Sequence, residues 1–329
     1  MQFRTPITIS PSSLRLDHSH RVVMFGSCFS EHIAERMRNA GFHVTSNPFG
    51  IMFNPASIAR NIERLATAQP YSIEDLMLSG ERWVSFDFHG DFASRSADEA
   101  VASMNRAVES GAQALREADT VVLTLGTAWV YRLKGSEEVV GNCHKVPERE
   151  FVRCRLTVEE IVEEYTDLLG RLWAVNPKVR VLFTVSPVRH LKDTLHGNQL
   201  SKATLLLAVD ELCGRYPERL HYFPAYEIVM DELRDYRFYA EDMAHPSAQA
   251  VEYVWERFVE QVTDGGARAF MAEWTKMVRA LAHRPFRPDA EEYQQFVKQN
   301  LVKLMALKER YPYLEVQNEI DTWHTLLKP

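Results

Sequence analysis

Three short apolar runs constrain this chain more than any other feature. They are Val22-Val23-Met24-Phe25, Val121-Val122-Leu123-Thr124-Leu125 and the stretch from Val179 to Val185. Their length reads as strand, and their near-continuous apolar character requires a sheet covered on both faces. Helical spacing follows the first run: Ile33, Ala34 and Met37 share one face over residues 30–40, and Gly41 stops the helix. The same alternation continues. Strands are expected at 42–45 and 220–223, and helices at 56–67, 98–117, 157–175, 199–214 and 247–263. This pattern predicts an α/β fold, a parallel sheet between two helical layers. Such sheets bind ligands just beyond the carboxyl ends of their strands. The residues after each strand are therefore the ones to weigh for function.

The remainder fits around that frame. Residues 1–20 form a polar lead-in, with Pro6 and Pro11 breaking any helix. Residues 80–97, with Trp83, Phe86, Phe88, His89 and Phe92, read as a long functional loop. Beyond Gly265 three helices are expected with no strand between them, at 267–283, 288–309 and 314–327. The chain thus divides into a main domain, 1–265, and a helical C-terminal appendage, 266–329. Phe296, Leu301, Leu304 and Leu307 are spaced for core packing, with a lid or dimer surface as the functional alternative.

Several function classes are disfavoured. A net charge of -7 over 329 residues argues against a nucleic-acid partner. No run of about 18 apolar residues exists to span a membrane. The N-terminus lacks the apolar stretch of a signal peptide, so a cytoplasmic location is expected. Cys28, Cys143, Cys154 and Cys213 form no CxxC pair, which disfavours a disulfide framework or a zinc site. A metal site built from His144, His190 and His245 lacks a closely spaced ligand pair. No glycine-rich phosphate motif is present, and no cofactor is expected.

Two features carry chemistry. Gly26-Ser27-Cys28 ends the first strand and opens a helix. Such a turn exposes a nucleophile, and the free N–H groups of the helix can hold an oxyanion. The helix N-terminus would also favour a Cys28 thiolate. Otherwise Cys28 is a core cysteine and Ser27 an N-cap. The second feature is Asp242-Met243-Ala244-His245, before the last helix of the alternating segment. A carboxylate three residues before a histidine can fix its tautomer and stabilise the imidazolium. The bland reading is a surface turn before a helix capped by Ser247.

Together these two features resemble the SGNH or GDSL hydrolases, in which a Gly-Asp-Ser turn after the first strand meets a late Asp-x-x-His. Gly26-Ser27-Cys28-Phe29-Ser30 more closely resembles the eponymous motif of the GSCFA family, with Ser30 where alanine is usual. The likeness extends over roughly residues 20–260. It includes Asn47-Pro48-Phe49-Gly50, Thr124 to Trp129, Asn142 to Pro147, Ser186 to His190 and Arg234 to Tyr239. It implies a three-layer α/β/α, flavodoxin-like fold. It also implies an ester or acyl substrate, a small molecule or a glycan, handled by hydrolysis or acyl transfer.

The resemblance puts Cys28 at the nucleophile position, while a shift of one residue would put Ser27 there. It makes His245 the base and Asp242 its orienter. Gly50 and Gly126 would contribute to the oxyanion and substrate site. The asparagine usual in the third block is absent from Gly126-Thr127-Ala128-Trp129, and Asn142 would supply the lost amide. His144 and His190 follow or flank strands; each would bind substrate, act as a second acid, or be structural. Arg189 and Lys145 would bind an anionic group or form ordinary ion pairs. Arg234 to Arg237 is expected to brace the Asp242–His245 loop. The missing asparagine and the unusual thiol also admit a binding protein that kept the fold and lost the chemistry.

Overall fold

The computed structural model describes residues 4–9, 13–287 and 290–327. Its elements run β1 (Arg21–Gly26), α1 (Cys28–Asn39), β2 (His43–Ser46), α2 (Pro55–Thr67), β3 (Met77–Ser79), β4 (Arg82–Val84), α3 (Ala97–Glu117) and β5 (Thr120–Leu125). There follow β6 (Trp129–Leu133), β7 (Val139–Val140), β8 (Phe151–Arg155), α4 (Val158–Val175), β9 (Arg180–Val185), α5 (Thr194–Arg215), β10 (Leu220–Phe223) and α6 (Ala225–Glu227). The chain ends in α7 (Ala248–Val262), α8 (Gly265–Ala282), α9 (Glu291–Arg310) and α10 (Gln317–Leu326). A π-helical turn, Ile228–Leu233, continues α6.

Five strands form one parallel sheet in the order β10-β9-β5-β1-β2. Counted along the chain this is the flavodoxin order, with its reversal between β1 and β5. Side chains alternate between the two faces. Val23, Phe25, Val121, Leu123, Leu125, Val181, Phe183 and Val185 enter one core, shared with residues of α2, α3, α4 and α5. Val22, Met24, Val122 and Leu182 enter the other, shared with α1 and α7. Both faces are covered, so both parities of each strand must be apolar. The expected three-layer α/β/α architecture is present. No helix among the described residues is long and apolar enough to cross a membrane.

Three expectations change. The lead-in is partly core: Leu14 and Leu16 are buried, and Leu16 bridges to Thr263 beside α7. The loop expected at 80–97 begins with β4, which pairs with β3 as a short hairpin. Between β5 and α4 lies an unexpected antiparallel sheet, β7-β6-β8. Its strands are short and paired across a gap in sequence, so no long periodic run announces them.

Helices α8 to α10 surround their own cluster, centred on Phe270, Trp274, Leu304 and Trp323. The expected start of the second of these helices, at 288–289, lies outside the described residues. The cluster docks on the end of α1. The Trp274 indole donates to Asn39 O at 3.1 Å, and His18 packs between Phe42 and Phe270, 4.0 Å from each ring centre.

Candidate active site

Strand β1 lies between β2 and β5, so it delivers the Gly26 turn to the point where strand order reverses. Gly26 has φ +149°, and a Cβ there would stand 2.5 Å from Thr124 O and 2.6 Å from Thr124 Cβ. Only glycine lets the two backbones pass so closely. Asn47 pins the turn from outside. Its Oδ1 accepts from the Gly26 N–H at 2.8 Å, and its Nδ2 donates to Glu31 at 3.0 Å.

Ser27 is the N-cap of α1 and is fully buried; its Oγ donates to Ser186 Oγ at 3.2 Å. Cys28, the next residue, is half-buried. Burial pushes its thiol above the ordinary value, outweighing the Phe29 and Cys28 N–H groups that favour the thiolate. The Asp242 charge adds to the rise and the Lys202 charge opposes it. The helix N-terminus therefore does not by itself produce the expected low-pKa thiol.

The histidine loop is well ordered by its own bonds. Asp242 Oδ1 accepts from the N–H groups of Ala244 and His245 at 2.9 and 3.0 Å. Its Oδ2 meets His245 Nδ1 at 2.5 Å. The His245 and Ala244 N–H bonds, then the imidazole, hold the carboxyl down to about 2. The carboxylate thus fixes the proton on Nδ1 and leaves Nε2 as the acceptor. The loop is braced from just before it, by Tyr239 and Ala240 rather than by the expected Arg234 to Arg237: Tyr239 bridges to Pro246, and Ala240 N–H donates to His245 O at 2.7 Å.

Arg189 adds a second brace. Its main-chain N–H donates to Ala244 O at 3.0 Å, and its guanidinium lies 3.9 Å from the Tyr239 ring centre. The segment after β9 and the histidine loop are thereby joined. His190 lines a cavity of about 500 Å³ together with Phe53, Trp129, Tyr131, Asn142 and Arg189. Its Nε2 is buried with no partner among the described residues. Burial, reinforced by the charges of Lys202, His245 and Arg153, holds its pKa down to about 4, so the ring is neutral at pH 7.

Other expected residues are committed elsewhere. The Gly50 N–H donates to Asn47 O at 2.7 Å, in a turn with φ +83° closed against His89. The Gly126 N–H donates to Phe53 O at 2.7 Å. Neither amide is left for an oxyanion. The His144 ring bonds Ser85 O at 2.7 Å. Asn142 does line the cavity, with its Oδ1 accepting from the His144 N–H at 2.9 Å. No hydrogen bond joins Cys28 to His245 among the described residues, although the Asp242 charge reaches the thiol.

Sequence reasoning missed Lys202. It is buried on α5, with Nζ donating to Gly126 O and Ser186 O at 2.6 Å each. In sequence it is one lysine in a polar helical stretch, Asn198-Gln199-Leu200-Ser201-Lys202, which reads as solvated surface. Its neighbour Ser201 was missed for the same reason; its Oγ bonds Thr127 Oγ1 at 3.0 Å and accepts from the Ala128 N–H at 2.8 Å.

Comparison with known proteins gives the context. The model of the GSCFA family matches residues 21–258, from β1 into α7. The chain belongs to the GSCFA family. The model of the GSCFA domain protein C-terminal domain matches residues 274–329, beginning inside α8 and including α9 and α10. No curated protein matches. Among solved structures, this GSCFA chain is similar to a carbohydrate esterase family 3 protein from Talaromyces cellulolyticus at 11% identity and TM-score 0.34, covering 77% of this chain and 98% of that one. It is also similar to an acetyl xylan esterase from the rumen bacterium Butyrivibrio proteoclasticus at 14% identity and TM-score 0.36, covering 77% of this chain and 64% of that one. Likeness at this distance assigns no activity.

Proposed function

We propose that this GSCFA protein is an SGNH-like hydrolase or acyltransferase that acts on an ester or acyl group through Cys28, His245 and Asp242. One observation carries the reading. The segment after β9 links a tightly bonded Asp242–His245 pair to the cysteine turn at the sheet's strand-order reversal: Ser186 Oγ accepts from Ser27 Oγ at 3.2 Å, and the Arg189 N–H donates to Ala244 O at 3.0 Å. Cys28 Sγ attacks the acyl carbon, and its proton passes to His245 Nε2. The acyl–oxygen bond breaks as that proton moves to the departing alkoxide. Water or an acceptor hydroxyl then attacks the thioester, again with His245 as base, releasing acid or a new ester and restoring the thiol.

The half-buried position of Cys28 supports it over Ser27, whose hydroxyl is buried against Ser186. The N–H groups opening α1 would hold the oxyanion, with Asn142 as a further donor. The cavity walled by Phe53, Trp129 and Tyr131 would take the substrate, and its aromatic faces suit an acylated sugar as well as a simple ester. In this scheme residues 1–265 form the catalytic domain and 266–329 the appendage.

A second reading, a binding protein without turnover, is favoured by the committed Gly50 and Gly126 amides. A screen of p-nitrophenyl esters and acetylated sugars decides between them. Wild type should turn over at least one substrate, Cys28→Ala and His245→Ala should abolish it, and Ser27→Ala should retain measurable activity. Turnover that survives both Cys28→Ala and His245→Ala refutes the assigned roles. No turnover of any substrate, with the same compounds bound, favours the second reading.

A further inference from the structure

A second pocket, of about 390 Å³, lies beside the histidine loop and has no part in the scheme above. Arg189 lines both this pocket and the cavity of about 500 Å³, so one side chain stands between the two spaces. The pocket wall is bonded to the loop that carries His245. The Arg189 N–H donates to Ala244 O at 3.0 Å, and Tyr239 pairs with Pro246. Tyr226 and Tyr239 are buried walls, while a third tyrosine of the lining, Tyr236, is left 63% exposed. The Arg189 guanidinium lies against two of these rings, 3.9 Å from the Tyr239 centre and 5.3 Å from that of Tyr236. The backbone is also unusual here. The π-helical turn Ile228–Leu233 supplies Asp231 to the lining, and Arg234, which ends that turn, has φ +31°. π-turns are rare and concentrate at functional sites, and left-handed non-glycine backbone is strain that a fold keeps at a cost.

The lining indicates the ligand. Arg189 and Arg234 are matched by Asp231 and Asp235, so the pocket favours neither an anion nor a cation. Asp235 also meets Arg237 at 3.8 Å, which is not part of the lining. The Asp231 carboxylate and the Arg234 guanidinium make no side-chain hydrogen bond or ion pair among the described residues. Free charged donors and acceptors beside aromatic rings suit a neutral polyhydroxyl ring. Its hydroxyl edge takes the hydrogen bonds, and its C–H face packs on tyrosine. A hydrocarbon chain would cover the charged groups without satisfying them. We propose that this pocket is a second subsite that binds an uncharged sugar unit. The substrate is then an acylated oligosaccharide lying across Arg189, with its ester in the larger cavity. The inference rests on the reading of Cys28 and His245 as the ester-cleaving pair. It chooses between the two substrate kinds that the larger cavity alone accommodates, an acylated sugar and a simple ester. Linked units gain affinity by occupying both spaces, because the second binds at the effective concentration set by the first.

The first measurement reads binding without turnover. Xylotetraose, cellotetraose and trigalacturonate are titrated into the full chain by calorimetry at millimolar concentration. At least one of the two neutral sugars should bind. Tyr236→Ala should weaken that binding about tenfold, the loss of one aromatic contact. Tyr236→Phe, which keeps the ring, should retain most of it. Asp231→Ala should weaken binding as well, and it decides if Tyr236→Ala does not fold. No binding of either neutral sugar overturns the subsite. Tighter binding of trigalacturonate overturns it too, as does binding unmoved by both Tyr236→Ala and Asp231→Ala. The second measurement joins the subsite to the ester. Tyr236→Ala should lower kcat/KM on the acetylated form of the bound sugar about tenfold more than on p-nitrophenyl acetate, with the extra loss in KM. Equal losses on the two esters overturn the proposal and leave the hydrolase reading standing. Sugar binding that depends on Tyr236, with no ester turned over, refutes the hydrolase reading and the substrate role built on it, while the sugar site stands.

Discussion

Replacing Gly26 with alanine should destabilise this protein by about 4 kcal/mol, through backbone strain of ~1–3 kcal/mol and overpacking of ~1–3 kcal/mol. The strain arises because φ is +149°, a region costly for any residue with a Cβ. The overpacking arises because the new methyl meets Thr124 O at 2.5 Å and Thr124 Cβ at 2.6 Å. The oxygen belongs to the backbone of a central strand and cannot swing aside. Gly80 is the control. It also has positive φ, +61°, but nothing lies within 4 Å of its added Cβ, so Gly80→Ala should cost only about 1 kcal/mol. Urea unfolding of both variants measures the difference directly. At about 2 °C per kcal/mol for a chain of this size, Gly26→Ala should melt roughly 8 °C below wild type. It should also slow Cys28 alkylation, since the turn that presents the thiol must shift. Equal destabilisation in the two variants would refute the reasoning, because it would mean that the β1–β5 approach imposes no constraint.

Three further outcomes are expected. Asp242→Asn should lower any esterase kcat by about 10⁴-fold through loss of the correct histidine tautomer, with the melting temperature nearly unchanged because both side chains are half exposed; steady-state kinetics beside calorimetry checks this. His18 is buried and held down to about 4, so the unfolded chain binds the extra proton between pH 6.5 and about 4. Its contribution is therefore complete above pH 6.5 and is lost as pH falls through that window, up to roughly 3 kcal/mol; a His18→Gln protein whose stability falls as steeply as wild type over that range would refute it. Trp274→Ala should cost ~3–5 kcal/mol within the C-terminal cluster and speed tryptic cleavage beyond residue 265 while leaving the sheet domain protected. Cleavage spread evenly over the chain would instead show that the two parts unfold together.

Much of the fold was legible because the strands of a doubly covered sheet must be apolar on both parities, and Val22–Phe25 and Val121–Leu125 are. The turn after β1 was legible from Gly26, since few residues can end a central strand so close to its neighbour. The Asp242–His245 pair was legible because its partners are three residues apart and the bonds are local. The β7-β6-β8 sheet was not, because strands of two to five residues gain their pairing only from distant chain.

Local chemistry also misjudged what other groups would do. Gly50 and Gly126 stand near the expected places, yet their amides are spent on Asn47 and Phe53.

The sequence alone determined the strand–helix alternation, the glycine turn and the carboxylate–histidine pair, because each depends on contacts within a few residues or on the solvent exposure of a whole face. The tertiary structure alone decided which side chains share the sheet's carboxyl edge. Lys202 follows Gly126 by 76 positions, and only the packing of α5 against the sheet buries it where two strand ends offer their carbonyls. Burial also reversed the sign expected for the Cys28 thiol: the desolvation of a charge depends on everything around it, and a helix N-terminus supplies only part of that surrounding.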